Sequence, residues 1–235
     1  MEFSIVIPAY NEAENIGAAI KALLGQTVEK KFFEIIVVDN NSTDDTFASA
    51  EQAGADLVIK ETRQGTNMAR QAGLSRARGE IIAFLDADCL PPDDWLEKIA
   101  DDLSDPAIAA ISGPFDYGFT GLKKYLNEFY ANFILPNVTA VLEFLFRRKS
   151  GILIGGNFAA RRRAFSAIGG LPDLDFWGDD AAIAMLISRR AGPVRFDPRL
   201  VVKSSPRRFA RTGFLKLALR YQREYFKTFF SEKYN

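Results

Sequence analysis

The chain has 235 residues and zero formal net charge, and 48% of its residues are hydrophobic. This length and apolar content predict one folded domain with a sizeable core, and they exclude a largely disordered chain. The neutral charge balance carries no signature of nucleic-acid binding. Because the sequence contains no histidine, histidine-based hydrolases and histidine metal sites are excluded, and any acid–base chemistry must fall on carboxylates.

The number of cysteines and the length of the apolar runs indicate in which cellular compartment the protein is expected. The single cysteine, Cys89, excludes an internal disulfide and fits a reducing environment. The first residues lack the basic and apolar regions of a signal peptide. The longest apolar candidate, residues 133–146, contains Pro136, Asn137 and Glu143 and falls short of the roughly 20 apolar residues that span a bilayer. We therefore expect a cytoplasmic protein without a transmembrane helix, with peripheral attachment to the inner face of a membrane left open.

The first half of the chain alternates apolar runs with helical patterns. The apolar runs predict strands at 3–8, 33–38, 57–59 and 81–85. Helical spacing and helix-end signals predict helices at about 12–24, 43–54 and 66–76, and a fourth that Pro91 and Pro92 open. Asn11 is the expected amino-terminal cap of the first helix. Repeated strand–helix units of this kind predict an α/β fold with a mainly parallel sheet.

Polar residues follow several of these strands. Tyr10, Asp39, Asp86 and Asp88 all lie at predicted carboxyl ends, where ligands of parallel sheets bind, so we expect them to share one crevice. Asp86 and Asp88 are two residues apart, and extended backbone would point both side chains the same way. Hard oxygen ligands suit Mg²⁺ or Mn²⁺ held together with substrate phosphates. The alternative for this pair is a solvated turn.

The second half of the chain changes character. The aromatic-rich stretch 122–146 is predicted to be helical, and the segment 155–157 follows another apolar run. Asp179 and Asp180 precede a predicted helix over 181–190. Their alternative role is helix capping, because acidic side chains are favoured at the amino end of a helix.

Four motifs in this order resemble the family 2 glycosyltransferases of the GT-A fold. They are residues 4–12 (SIVIPAYNE), residues 36–46 (IVVDNNSTDDT), Gly65 with Ala69, Arg70 and Gly73, and Asp86-Ala87-Asp88 with the later Asp179-Asp180. The resemblance covers residues 3–205, and its specificity comes from the ordered set. It implies a Rossmann-like, mainly parallel central sheet with flanking helices and a smaller acceptor-side lobe.

The resemblance also implies an activity. Members of this family are inverting enzymes that move a sugar from a nucleotide-diphosphate donor to an acceptor hydroxyl. The expected donor here is a UDP-sugar, the acceptor a carbohydrate or a lipid-linked molecule, and the cofactor Mn²⁺ or Mg²⁺. The sequence has no Gln-x-x-Arg-Trp motif of the processive members, which predicts the addition of one sugar.

The resemblance also implies roles for individual residues. The residues expected to bind the nucleotide are Pro8, Ala9, Tyr10, Glu12, Asp39, Arg70 and Asp86. Metal binding falls to Asp86 and Asp88. The general base is Asp180, with Asp179 at a position where the family usually has Glu. Donor-sugar and acceptor contacts fall to Gly155, Gly156, Asn157 and Trp177, and a loop with Arg207 and Arg208 would meet the diphosphate. For Asp39, Arg70 and Trp177 the alternatives are a turn residue, a solvated helix charge and a core side chain.

We interpret the chain as a single glycosyltransferase domain over 1–235, with a nucleotide-binding half (1–115), an acceptor half (116–205) and a basic amphipathic helix (206–235). In that helix Lys216, Arg220, Arg223 and Lys227 recur at helical spacing opposite an apolar face. Two explanations stay open: the helix binds an anionic membrane surface near a lipid-linked acceptor, or it packs on the domain with its charges in water.

Two other functions also stay open. A non-catalytic nucleotide-sugar-binding protein would keep the fold and lack transfer. A sugar-phosphate nucleotidylyltransferase would share the sheet and the acidic site, but it should have a glycine-rich loop after its first strand. Residues 8–12 contain no glycine, which makes the nucleotidylyltransferase the weaker alternative.

Overall fold

A computed structural model describes residues 1–172, 178–207 and 214–231. The strands are β1 (Phe3–Ala9), β2 (Phe33–Asp39), β3 (Leu57–Lys60), β4 (Ile81–Leu85), β5 (Cys89–Leu90), β6 (Ala110–Ser112), β7 (Phe115–Asp116), β8 (Asn157–Arg161), β9 (Val194–Phe196) and β10 (Val202–Ser204). The helices are α1 (Ile16–Leu24), α2 (Thr46–Gln52), α3 (Thr66–Arg76), α4 (Trp95–Asp102), α5 (Gly121–Phe129), α6 (Leu135–Phe146), α7 (Arg162–Ile168), α8 (Asp179–Arg190) and α9 (Phe214–Phe230).

The central sheet has seven strands in the order β3-β2-β1-β4-β8-β6-β9. Strands β1 to β4 are mutually parallel, and β8 runs antiparallel to both of its neighbours. Helices cover both faces, because Ile5 and Ile7 pack in one core cluster with α1 while Val6 packs in a second cluster with α3 and α8. Burial on both faces explains the continuous apolar runs in the sequence. The predicted α/β class with a mainly parallel sheet is confirmed.

A second, three-stranded sheet lies at the carboxyl-terminal edge of the first. Its order is β5-β10-β7, with β10 antiparallel to β5 and parallel to β7. The pairing of Ser204 with Cys89 brings the chain after β10 next to the segment that follows β4. This small sheet therefore carries the segment 205–207 to the end of the central sheet where ligands are expected.

Helices α5 and α6 are joined by a π-helical turn, Tyr130–Ile134, into one helix of 26 residues, Gly121–Phe146, which we call the long helix. By length and composition it is apolar enough to cross a membrane, and 17% of its most apolar stretch is buried. The expectation that no segment reaches this length was therefore wrong. Pro136 lies just after the π-helical turn, and the helix continues through it.

Two predicted helix starts also differ from the structure. Helix α1 begins at Ile16 rather than near Glu12, and α2 begins at Thr46 rather than near Thr43. Asn11 has a left-handed backbone (φ 52°) and does not cap α1. Its side-chain oxygen accepts a hydrogen bond from the Thr43 backbone N–H at 2.8 Å. Asn11 thus ties the loop after β1 to the loop after β2.

Helix α9 packs on the domain through its apolar face. Tyr225 and Phe229 are buried in a cluster with Leu142 of the long helix and Met185 of α8. The predicted basic stripe, Lys216, Arg220, Arg223 and Lys227, is exposed. Packing therefore accounts for the apolar face, and membrane contact by the charged face stays a prediction.

Candidate active site

A pocket of about 800 Å³ opens beyond the carboxyl ends of β1 and β4. Much of the predicted site lies in its walls: Pro8, Ala9, Tyr10, Glu12, Arg70, Asp86, Asp88, Gly155, Gly156, Asp179, Asp180 and Arg207. These residues come from loops that are far apart in sequence. The parallel strand order brings them together, because the loops after β1 and β4 leave neighbouring strands at the same edge of the sheet.

Arg70 is the charged centre of this pocket. It lies on α3 with only 3% of its surface exposed, which excludes the alternative of a solvated helix charge. Its guanidinium is 3.3 Å from the Asp86 carboxylate, 3.2 Å from that of Asp179 and 3.6 Å from that of Asp180. Burial alone lowers the pKa of Arg70, but the three carboxylates more than offset it, so the pKa is raised overall. Arg70 therefore stays charged and links the strand-end acid to the two acids of α8.

Asp179 and Asp180 form the first turn of α8, directly after Gly178, whose backbone is left-handed (φ 98°). Asp179 is buried, and this burial raises the pKa of its carboxyl even beside Arg70. The Asp180 side chain is 27% exposed, and one of its oxygens accepts a hydrogen bond from the Gly155 N–H at 3.0 Å. Of the two acids, Asp180 is therefore the one that a molecule in the pocket can reach.

The segment before β8 passes very close to these carboxylates. A Cβ atom at Gly155 would collide with the Asp180 carboxylate and the Arg70 guanidinium, and one at Gly156 would collide with the Asp86 carboxylate. Only glycine permits such an approach of the backbone. Gly155 and Gly156 therefore form a narrow piece of wall between Asp86 and Asp180.

Arg207 reaches the pocket from the segment after β10. Its Nη2 atom is 2.7 Å from Glu12 and 2.9 Å from Asp88. Hydrogen bonds to Asp88 and Glu12 raise the pKa of Arg207. In the structure the partners of Arg207 are thus two carboxylates, and the expected contact of this segment with the donor diphosphate stays a prediction.

The acidic residues bear on metal binding. In the part of the chain that the structure describes, no group of three or more His, Cys, Asp or Glu side chains is placed to hold a metal ion. Mg²⁺-like ions are commonly held by one or two carboxylates together with substrate phosphates and water. Asp86 and Asp88 fit that smaller set, and the Arg207 cation on Asp88 shows that this position favours positive charge.

Two predicted residues do not line the pocket. Asp39 is buried, and its carboxylate accepts a hydrogen bond from the Ser42 N–H at 3.1 Å, as expected for the turn alternative. Asn157 is fully buried at the start of β8, where its side chain accepts from Trp95 Nε1 at 2.9 Å and donates to the Leu200 carbonyl at 2.7 Å. Its amide is used in the interior. Trp177 and Arg208 lie outside the described residues.

The far wall of the pocket was not expected from the sequence. The long helix and α9 supply this wall, with Asn127, Tyr130, Leu135, Leu217, Tyr221 and Tyr225 among its residues. The Tyr225 hydroxyl is buried, 2.9 Å from Ser150 Oγ, and it donates to Thr139 Oγ1 at 3.2 Å. The signals in the sequence are the helical spacing of Asn127 and Tyr130 within an aromatic stretch, and that of Leu217, Tyr221 and Tyr225 on the apolar face of the last helix.

Comparison with known proteins connects this site to a family. The family model described as glycosyl transferase family 2 matches residues 4–169. The glycosyltransferase AglE of Haloferax volcanii is 36% identical over 131 residues, which are 52% of this chain and 43% of AglE. The chain therefore spans less than half the length of this relative.

Solved structures agree with this assignment. The mannosyltransferase PcManGT of Pyrobaculum calidifontis, solved with GDP-Man and Mn²⁺, has a TM-score of 0.69 and 25% identity, covering 87% of this chain and 56% of PcManGT. Glucosyl-3-phosphoglycerate synthase of Mycobacterium tuberculosis, solved with Mn²⁺, UDP and phosphoglyceric acid, has a TM-score of 0.63 and 19% identity, covering 97% and 78%. The matched motifs and this shared fold show that the chain belongs to glycosyl transferase family 2 and has the GT-A fold.

Proposed function

We propose that this protein transfers one sugar from a nucleotide-diphosphate donor to an acceptor hydroxyl, with inversion at the anomeric carbon. The observation that carries the proposal is the arrangement of one pocket, in which Asp86 at a strand end and Asp180 at a helix start are both held by Arg70. A donor lying along the Gly155–Gly156 wall would contact both acids. Membership of the family supports the same reaction class.

The donor end of the pocket is the edge formed by the loops after β1 and β4. Tyr10 has an exposed ring that can stack on the base of the donor. Glu12 is 2.7 Å from Arg207, so the ribose and the diphosphate of one donor could contact these two side chains. We propose a UDP- or GDP-linked sugar as the donor, since GDP-Man and UDP are present in structures of this fold.

A divalent cation, Mn²⁺ or Mg²⁺, would be held by Asp88 and Asp86 together with the donor phosphates. When bound, it supplies stabilisation of the negative charge that develops on the departing nucleoside diphosphate. Arg207 must first leave Asp88, and its guanidinium is then available to the diphosphate oxygens.

The chain's own residues account for the proton. The acceptor hydroxyl loses its proton to the Asp180 carboxylate while its oxygen bonds to the anomeric carbon, and the bond from that carbon to the diphosphate oxygen breaks. The Gly155 N–H donates to one oxygen of Asp180, and the Arg70 guanidinium lies 3.6 Å from its carboxylate, so both groups fix its orientation. Attack from the face opposite the leaving group gives inversion.

The far wall favours an acceptor with an apolar part. Leu135 and Leu217 line it beside the rings of Tyr130 and Tyr221. A lipid-linked acceptor would use this wall more fully than a free carbohydrate would, because apolar surface on both partners leaves water. The exposed basic stripe of α9 adds a surface for an anionic membrane. We therefore propose a lipid-linked acceptor and peripheral membrane association.

A thermal-shift screen of nucleotide sugars with and without Mn²⁺ tests the donor assignment. A ligand at about 100 times its dissociation constant adds about 2.7 kcal/mol of apparent stability. We expect a UDP- or GDP-sugar to raise the melting temperature more when Mn²⁺ is present than when it is absent. No shift with any nucleotide sugar, in either condition, would contradict the proposal.

A further inference from the structure

The long helix presents an apolar stripe to the surface, in two segments on either side of Asn137. Its exposed apolar side chains include Leu122, Leu126, Phe129, Phe133, Val141 and Phe144. From Leu122 to Phe133 these residues recur at three- and four-residue steps, and Val141 and Phe144 begin a second apolar segment beyond the exposed Asn137. At about 1.5 Å per residue, the helix extends over roughly 39 Å. Apolar patches of this size mark contact with a partner or a membrane.

The opposite side of the same helix is fixed along the domain. Asn127 donates to the Phe115 carbonyl at 3.3 Å, and Tyr130 accepts from Gln222 at 3.1 Å. Further along, Thr139 accepts from the buried Tyr225 hydroxyl at 3.2 Å. The helix therefore lies flat on the domain and could not cross a bilayer without losing these contacts. Its exposed stripe suits a surface that the helix lies along.

The stripe continues onto α9. The Phe146 ring packs edge-on against Phe230 at a centroid distance of 4.9 Å, and Phe230 and Phe226 are themselves exposed. The carboxyl-terminal ends of the two helices thus share one apolar surface. This surface is broader than a single helix face, as is typical of segments that enter the headgroup region of a bilayer.

The charges around this apolar surface are mainly basic, although the exposed Glu128 lies 3.8 Å from Lys124 on the same helix. Lys123 and Lys124 are exposed at the start of the long helix, and Arg147 and Lys149 are exposed just after its end. Four more exposed cations lie on α9: Lys216, Arg220, Arg223 and Lys227. Basic residues that flank an interfacial apolar stripe complement anionic lipid headgroups. They would disfavour a second copy of the same surface, because like charges would then face each other.

We propose that the long helix docks in the plane of an anionic lipid bilayer, with its apolar stripe in the interfacial region and the end of α9 beside it. The inner side of this helix lines the pocket through Asn127, Tyr130 and Leu135. If the protein has the proposed function, an acceptor anchored in the same bilayer enters the pocket from this side and meets Asp180. This part of the inference rests on the proposed function. The docking surface itself is inferred only from the exposed apolar stripe and the basic residues around it.

Vesicle flotation tests the docking surface. Vesicles of phosphatidylcholine alone are compared with vesicles of equal parts phosphatidylcholine and phosphatidylglycerol. The wild type should float with the anionic vesicles. Leu126→Ser/Phe129→Ser/Phe133→Ser should weaken this binding roughly tenfold or more, because three large apolar side chains no longer leave water. Leu24→Ser/Phe32→Ser is the matched control, since both residues are exposed and apolar but lie outside this surface; it should bind as the wild type does.

A second variant and three further measurements, of melting temperature, oligomeric state and nucleotide binding, make the test decisive. Phe144→Ser changes the most exposed ring of the helix and should weaken flotation with an unchanged melting temperature. Wild-type binding by the triple variant, or no binding of the wild type to anionic vesicles, would overturn the proposal. So would a wild-type dimer in light scattering that the triple variant abolishes. Mn²⁺-dependent nucleotide binding, measured without lipid, should persist in the triple variant; its absence from the wild type would count against the proposed function alone.

Discussion

The guanidinium of Arg207 lies 2.9 Å from the carboxylate of Asp88, so a positive charge from the segment after β10 already occupies one of the two proposed metal ligands. The same nitrogen is 2.7 Å from Glu12, which joins the loops after β1 and β4 through one side chain. A metal ion and Arg207 would compete for Asp88. Both can be bound at once if Arg207 leaves Asp88 and pairs with the diphosphate of the donor, so that the metal ion binds Asp88.

The competition gives a prediction for Asp88→Asn. This change removes a charged oxygen ligand while keeping the shape of the side chain, and we expect at least a roughly tenfold loss in Mn²⁺-dependent nucleotide affinity with the fold intact. Isothermal titration with UDP and GDP in the presence of Mn²⁺ measures the loss. Asp101→Asn, at an exposed position on α4, is the control. Unchanged Mn²⁺ dependence in Asp88→Asn would remove Asp88 from the metal site.

Arg70→Met tests the charged centre of the pocket. Removing this buried guanidinium leaves Asp86, Asp179 and Asp180 close together without their shared cation, and breaking such a buried pair typically costs about 3–5 kcal/mol. We expect a loss of that order in the free energy of unfolding, measured by denaturant titration. Arg76→Met on the same helix is exposed and should cost far less. Equal stability of the two variants would show that Arg70 has no such structural role.

Glu34 gives a prediction for stability alone, since it lies at the end of the sheet away from the pocket. Burial by itself raises the pKa of Glu34, but hydrogen bonds from Arg78 and Ser4 more than offset it, and the pKa is lowered overall. The Arg78 guanidinium donates to one carboxylate oxygen at 2.8 and 2.6 Å. Glu34→Gln should therefore lower the free energy of unfolding by roughly 1–3 kcal/mol near neutral pH.

The sign of the pH dependence follows from the lowered pKa. The folded protein stabilises ionised Glu34, so its contribution is complete above the ordinary carboxyl pKa and disappears as the pH falls through the lowered value. The difference between wild type and Glu34→Gln should shrink in acid. Glu51→Gln, at an exposed position on α2, should show no such trend. A difference that is constant with pH would contradict this account.

Much of the fold could be predicted because the first four strands are mostly apolar runs separated by helical patterns. Strand β4 and helix α3 lie where their patterns place them, and Asp86 and Asp88 follow β4 at the predicted edge. Local signals suffice for such elements. The position of Asn157 depended instead on the antiparallel pairing of β8 with β4, where Asn157 faces Leu85. That register is set by contacts distant in sequence.

The remaining misses have the same physical origin. Asn11 looks like a helix cap locally, yet its partner is Thr43 in another loop. Arg70 was expected at the site, but the pattern of α3 alone did not indicate its burial against three carboxylates. The polar residues inside the long helix hide its total length from a search for uninterrupted apolar runs, although the helix continues through them. In each case contacts between residues distant in sequence determine the side chain's partner, its burial or the length of the helix, and the local sequence pattern does not specify these contacts.

The most direct measurement is Mn²⁺-dependent turnover of a nucleotide sugar by the wild type and by Asp180→Asn, with donor affinity measured in parallel. The amide keeps the shape of the carboxylate but cannot accept the acceptor's proton. We predict that the wild type transfers sugar with inversion, and that Asp180→Asn binds the donor nearly as tightly while its transfer is abolished. Donor binding without turnover by the wild type would identify a non-catalytic nucleotide-sugar-binding protein. Wild-type turnover per bound donor in Asp180→Asn would contradict the assignment of Asp180 as the base.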